Sequence, residues 1–206
     1  MTVHSFALSL GYLAATLGVI MVVPQILRTV RHPDLGGVSP VAWSLTTLGC
    51  STWLVYGLRT QTVQQIPGNA LLVCGAVAVV LLVPSQASRA RRALNLGAVA
   101  SVLLSVAVLL PAHSVGYLAV SIGFVAAWPQ VFDSVLTWRS GVRSGVSLTT
   151  WALKAVSQLC WLTYAVAAGD LPVMLASTVA LSTAVLLVTL EASAANHGAR
   201  LVTAEA

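Results

Sequence analysis

The sequence predicts an all-α integral membrane protein with seven transmembrane helices, arranged as two parallel three-helix bundles plus a linker helix (3-1-3). Three observations carry this expectation. The chain of 206 residues is 58% hydrophobic and only 7% charged, whereas a soluble domain carries about 25% charged residues. It divides into seven apolar runs within the bilayer-spanning length of about 17–25 residues. The runs before and after the fourth also repeat one another.

The first span is expected over residues 5–30. It contains VVPQILRTV, in which Pro24 and Gln25 interrupt an apolar run. The second, 38–58, carries GVSPVAW and WLVYG; the third, 65–84, opens on Gln65 and ends at a proline. The fourth, 93–111, is plainly apolar. The fifth, 114–138, contains AWPQVFDSV with Pro129 and Gln130. The sixth, 147–168, carries GVSLTTW and WLTYA, and the seventh, 171–191, ends on Glu191. Strands would leave backbone groups open in lipid, and the alternation of a barrel is missing, so helices are expected.

Basic residues follow spans one (Arg28, Arg31, His32), three (Arg89, Arg91, Arg92) and five (Arg139, Arg143), with Arg200 in the tail. The other side holds one arginine, Arg59. The positive-inside rule then puts the N-terminus outside and the C-terminus in the cytoplasm. The Ala-, Val-, Leu- and Arg-rich composition with short loops suggests a bacterial inner membrane.

GYLAATLGVIMVVPQ from Gly11 meets GYLAVSIGFVAAWPQ from Gly116 at an offset of 105 residues. Trp43, Trp53 and Tyr56 meet Trp151, Trp161 and Tyr164 at an offset of 108, so the second copy has three extra residues in its first loop. Each unit has three helices, and basic loops follow the PQ helix in both, so the copies are parallel. The fourth span supplies the additional crossing this requires. The expected organisation is a first bundle over 1–84, a linker with helix 4 over 85–112, and a second bundle with a short tail over 113–206. Parallel repeats of this kind point to transport, with solute near the midplane between them.

Other functions find no support. The net charge of +5 sits in loops between apolar runs, the membrane pattern, so no nucleic-acid partner is expected. Cys50, Cys74 and Cys160 lie inside apolar runs without metal-ligand spacing and are read as small hydrophobes; no metal site is expected. No paired carboxylates, Ser-His-Asp set or phosphate loop is evident, so no catalytic residue, no cofactor and no enzymatic activity is expected. The partners are the lipid bilayer and a small solute. One duplicated chain holds both bundles, so the pathway does not require a homo-oligomer, although one is compatible with it.

The layout, the PQ pair in the first helix of each triplet and WLVYG in the second resemble the PQ-loop superfamily. Its members include the SWEET and SemiSWEET sugar facilitators, cystinosin-type amino-acid carriers and, as a fold relative, the KDEL receptor. An Asn sixteen residues after the Trp makes the SWEET and SemiSWEET branch the nearest likeness. This resemblance implies a facilitator (uniporter) for a small polar solute, a sugar above all, working by alternating access. The alternatives are a carrier for amino acids or small organic anions and, behind it, a non-transporting membrane receptor.

By the same resemblance Trp53, Asn69 and Trp161 line the central site. Ser177 stands where the second repeat would have its Asn, a departure that replaces an amide with a shorter hydroxyl. Tyr56 and Tyr164 are expected to close the outer side, with Arg59 and Asp170 pairing across that gate. Pro24 and Pro129 each remove a helix hydrogen bond and are expected to act as hinges, with Gln25 and Gln130 bonding backbone opened by the kink. Arg28 and Asp133 occupy equivalent positions with opposite charge and are expected to form an inner gate. Gly11, Gly18, Gly116 and Gly123 are expected to serve close helix packing. Lys154 lies within the sixth span. Its shallow depth favours snorkelling to the interface; facing the cavity, it would meet a carboxylate or phosphate.

Overall fold

The computed structural model of the protein describes residues 3–31, 40–82, 88–140 and 148–204. The side chains of Pro24, Gln25, Arg28, Pro129, Gln130 and Asp133 lie outside the described residues, so the expected hinge contacts and inner gate do too. The described residues form α1 (Val3–Arg31), α2 (Pro40–Thr60), α3 (Gln65–Leu82), α4 (Arg89–Leu109), α5 (Ala112–Ser140), α6 (Leu148–Ala168) and α7 (Leu171–Ala204), with no strand. Among the described residues each expected span overlaps one helix, α7 runs past Glu191 to Ala204, and α1 and α5 run on through Pro24 and Pro129.

Four described segments have the length and apolarity to cross a membrane: Ser5–Val23, Gln65–Leu82, Arg89–Leu109 and Leu171–Leu190. Ala112–Trp128 in α5 is as apolar but shorter. α2 and α6 carry several hydroxyls, and α6 also carries Lys154 and Gln158. The surface matches a lipid solvent. Leu94, Val108 and Leu109 on α4 are each more than 70% exposed, while Thr47, Thr52, Gln64, Gln65, Ser157 and Ser177 are buried. Thr47 and Thr52 donate to the carbonyls of Trp43 and Leu48 four residues back, so their hydroxyls need no water.

Helix contacts define the architecture. α3 lies between α1 and α2, α7 lies between α5 and α6, α1 packs on α6 and α2 packs on α5. The six close a ring in the order α1, α3, α2, α5, α7, α6, and α4 packs outside on α2, α3 and α5. Exchanging α1–α3 for α5–α7 maps every contact of the ring onto another, the signature of a pseudo-twofold axis. At the α1–α6 seam the buried Ser157 hydroxyl donates to the Ala14 carbonyl at 3.0 Å.

The symmetry extends to the helix ends. α6 ends at Gly169 with φ +68°, and α2 ends at the equivalent Gln61 with φ +58°. Thr62 N–H bonds Gly57 O at 2.9 Å, as Asp170 N–H bonds Ala165 O at 2.9 Å, closing each helix with the same left-handed turn. Gln61 is therefore strained where the other repeat uses glycine, and its amide donation to Leu58 O at 2.8 Å offsets part of this. Gln61→Gly is expected to stabilise the protein by about 0.5–1 kcal/mol, read as a higher thermal unfolding midpoint in detergent. An unchanged or lower midpoint would count against strain at this turn.

Candidate functional site

Two adjoining cavities of about 300 and 360 Å3 lie inside the ring. The first lobe is bordered mainly by α5, α6 and α7, the second by α1, α3 and α6. Gln65, Asn69, Lys154, Gln158 and Trp161 border both and form the neck between them. All four residues singled out in the sequence, Trp53, Asn69, Trp161 and Ser177, border the first lobe together.

Each repeat builds its share in the same way. The Trp53 ring stands edge-on to Tyr56 with centroids 5.6 Å apart and planes at 84°. Trp161 and Tyr164 repeat this at 5.7 Å and 79°. Spacing of three residues puts each pair one turn apart, so one ring faces the cavity while the other seals the end beyond it. Asn69 donates its Nδ2 to Gln65 O at 2.8 Å. Its Oδ1 is left as an acceptor beside the cavity. Gln65 is 3% exposed, and its Nε2 has no hydrogen-bond partner.

The end of the ring at the C-termini of α2 and α6 is closed. Tyr56 is 2% exposed and Tyr164 7%. Tyr56 donates its hydroxyl to Asp170 Oδ1 at 2.7 Å, and the same oxygen accepts from Val173 N at 3.1 Å, capping α7. Tyr164 meets Thr62, which stands at the position equivalent to Asp170. Gly116 receives Tyr56 and Pro172, and Gly11 receives Tyr164 and Gln64, again at equivalent positions. Each bundle thus inserts its tyrosine into a glycine notch of the other.

Three expectations change. Arg59 does not pair with Asp170: its Nη1 donates to Ala107 O at 2.7 Å and to Leu110 O, closing the C-terminus of α4. The cation is drawn to the open carbonyls at that helix end, while Asp170 is engaged by Tyr56 and its own helix. Gly18 and Gly123 do not serve close packing; a Cβ at either would meet nothing within 4 Å, and they border the second and first lobe. Lys154 borders both lobes, and its Nζ lies 4.4 Å from the centre of the Trp151 ring one turn earlier. The lysine thus borders the cavity, with its ammonium against an aromatic face.

Gln65 and Gln158 were not singled out in the sequence. Their counterparts, Val173 and Cys50, are unlike them, so comparing the repeats gave no signal. Polarity within a span was the available clue.

A family model described as PQ loop repeat matches residues 6–66, which span α1, α2 and the start of α3. A comparison with curated protein sequences finds no match. Among solved structures, the fold is similar to that of a eukaryotic SWEET transporter, with a TM-score of 0.76 and 13% identity, covering 92% of this chain and 99% of that one. With a PQ loop repeat over residues 6–66, its apolar helices and this ring of six around a cavity, the chain has a SWEET-like fold.

Proposed function

We propose that the chain is a uniporter that moves a small polar solute, a sugar above all, across a bacterial inner membrane by alternating access. In this reading it crosses the bilayer seven times, with the N-terminus outside and the C-terminus in the cytoplasm. Residues 1–84 and 113–206 are the two bundles and 85–112 the linker with helix 4. One subunit provides the pathway. The observation that carries the reading is the meeting of Trp53, Asn69, Trp161 and Ser177, from matched positions of both repeats, around one cavity. Indole faces suit the apolar face of a sugar ring, and the Asn69 carbonyl accepts from a hydroxyl.

The tyrosine-closed end would be the outer gate, and the bundles would rock apart there to admit solute. Pro24 and Pro129 would be hinges, with Gln25 and Gln130 bonding the freed backbone. Arg28 and Asp133 would close the inner side in the opposite state.

Proteoliposomes loaded with labelled sugar test the reading. Losing one neutral hydrogen bond weakens binding by about 0.5–1.5 kcal/mol, so Asn69→Ala should lower flux about two- to thirteenfold at sub-saturating solute. Flux indifferent to this change would place the solute elsewhere.

A further inference from the structure

The cavity is more unequal in charge than in shape. Lys154 is the only charged side chain among the described residues bordering either lobe. No carboxylate pairs with it among the described residues; its recorded contact is the Trp151 ring. A cation inside a span without a counter-charge is costly, and an aromatic face offsets only part of that. A neutral solute would leave the imbalance in place. An anionic solute would remove it.

The remaining polar groups favour the same conclusion. Gln65 Nε2 is a buried donor with no partner and borders both lobes. Asn69 gives one of its two amide N–H groups to the Gln65 carbonyl, which leaves one N–H and its oxygen. The neck therefore presents one ammonium and the amides of Asn69 and Gln158, which both donate and accept. That set fits a ligand rich in oxygen acceptors that also carries a hydroxyl.

Position along α6 adds an orientation. Lys154, Gln158 and Trp161 are spaced by four and three residues, so they lie on one helix face. Lys154 and Trp161 are separated by about 10 Å along the axis, at 1.5 Å per residue. Ammonium, amide and indole thus follow in order. A ligand with a carboxylate at one end and a ring face at the other would meet them in that order. The counterpart of Lys154 in the first repeat is Thr46. The charge is therefore present once, and the ligand would bind one way round despite the pseudo-symmetric walls. The lobe volumes, at the lower end of the usual range for ligand pockets, suit a small molecule.

From this geometry we propose that the solute is a small polyhydroxylated carboxylate, a sugar acid of hexuronate size, whose carboxylate is held by Lys154. This rests on the transport reading and narrows its substrate class.

The full chain in liposomes is offered labelled glucuronate, glucose or alanine at equal, sub-saturating concentrations. Glucuronate uptake is expected to exceed glucose uptake by about tenfold or more. An inside-positive potential should accelerate it, because the uniported species carries a negative charge. Lys154→Met should lower the glucuronate-to-glucose ratio by about tenfold or more, and Lys154→Arg should restore most of it. Glucuronate should also change the tryptophan fluorescence of the wild-type protein at lower concentrations than glucose, a readout independent of variant folding. Faster uptake of glucose or alanine than glucuronate, or a ratio untouched by Lys154→Met, would overturn the sugar-acid assignment while leaving transport standing. If none of the three moves or binds, the transport reading falls with it.

Discussion

Gly116→Ala is expected to reduce transport by about an order of magnitude or more, with the protein still folded in the membrane. The new Cβ would lie 2.6 Å from Pro172 Cβ and 2.8 Å from Tyr56 Cε2. Neither neighbour gives way easily. Pro172 is a rigid ring in the first turn of α7, and Tyr56 is buried and tied to Asp170 at 2.7 Å. Overpacking of this kind costs about 1–3 kcal/mol. A strain near 2 kcal/mol felt only when the tyrosine end is closed shifts the closed-to-open ratio about thirtyfold. On the proposed alternating-access reading the protein would then linger open on that side and fail to complete its cycle.

The equivalent Gly11→Ala should do less, since its nearest neighbours are a flexible Gln64 side chain at 3.1 Å and Tyr164 at 3.2 Å. Labelling of Thr62→Cys by a membrane-impermeant maleimide should rise in the Gly116→Ala background. Unchanged labelling with unchanged flux would show that this end is not the one that moves.

The two locks at that end are not equivalent. Tyr56 donates to a carboxylate that also caps α7, whereas Tyr164 meets the neutral Thr62 hydroxyl. Hydrogen bonds to charged groups contribute about 1.5–3 kcal/mol against about 1 for neutral ones. The first lock is the stronger and the second the easier to release, so opening would begin at the α1–α6 seam beside Tyr164 and end at the α2–α5 seam.

Residues that obey the repeat were legible in the sequence. The Trp–Tyr pairs stood out because each has a partner at a fixed offset, and the fold places such partners around one axis; Asn69, with Ser177 opposite it, came from the family resemblance. Residues that break the repeat were harder to find. Gln65 opposite Val173 and Gln158 opposite Cys50 add to the cavity's polarity, and a search for likeness passes over them; Lys154 opposite Thr46 stood out only as a charge within a span. Arg59 was misassigned for a related reason: its acceptors are on α4, the helix without a counterpart. The four glycines shared one spacing, yet only Gly11 and Gly116 face a neighbouring helix. Which face of a helix borders a cavity and which borders a partner is decided by the ring order, not by periodicity.

That distinction supports the sharpest test of the cavity. Gly123→Leu is expected to abolish transport while leaving the fold intact or slightly more stable. A Cβ at position 123 meets nothing within 4 Å, so the backbone accepts a side chain without strain. Leucine is the better helix former by about 1 kcal/mol, which should raise rather than lower the thermal midpoint. Gly123 borders the first lobe beside Phe124 and Ala127, and a branched side chain there would occupy part of a volume of about 300 Å3. The space left for a solute beside Trp53 and Trp161 would shrink accordingly. Gly18→Leu makes the matching change in the second lobe. Loss of flux in both variants, with thermal midpoints at or above wild type, would mean the solute needs both lobes. Loss in Gly18→Leu alone would confine the path to the second lobe and remove Trp53 and Ser177, which border only the first, from the site. Wild-type flux in both would mean that neither lobe lies on the solute's path.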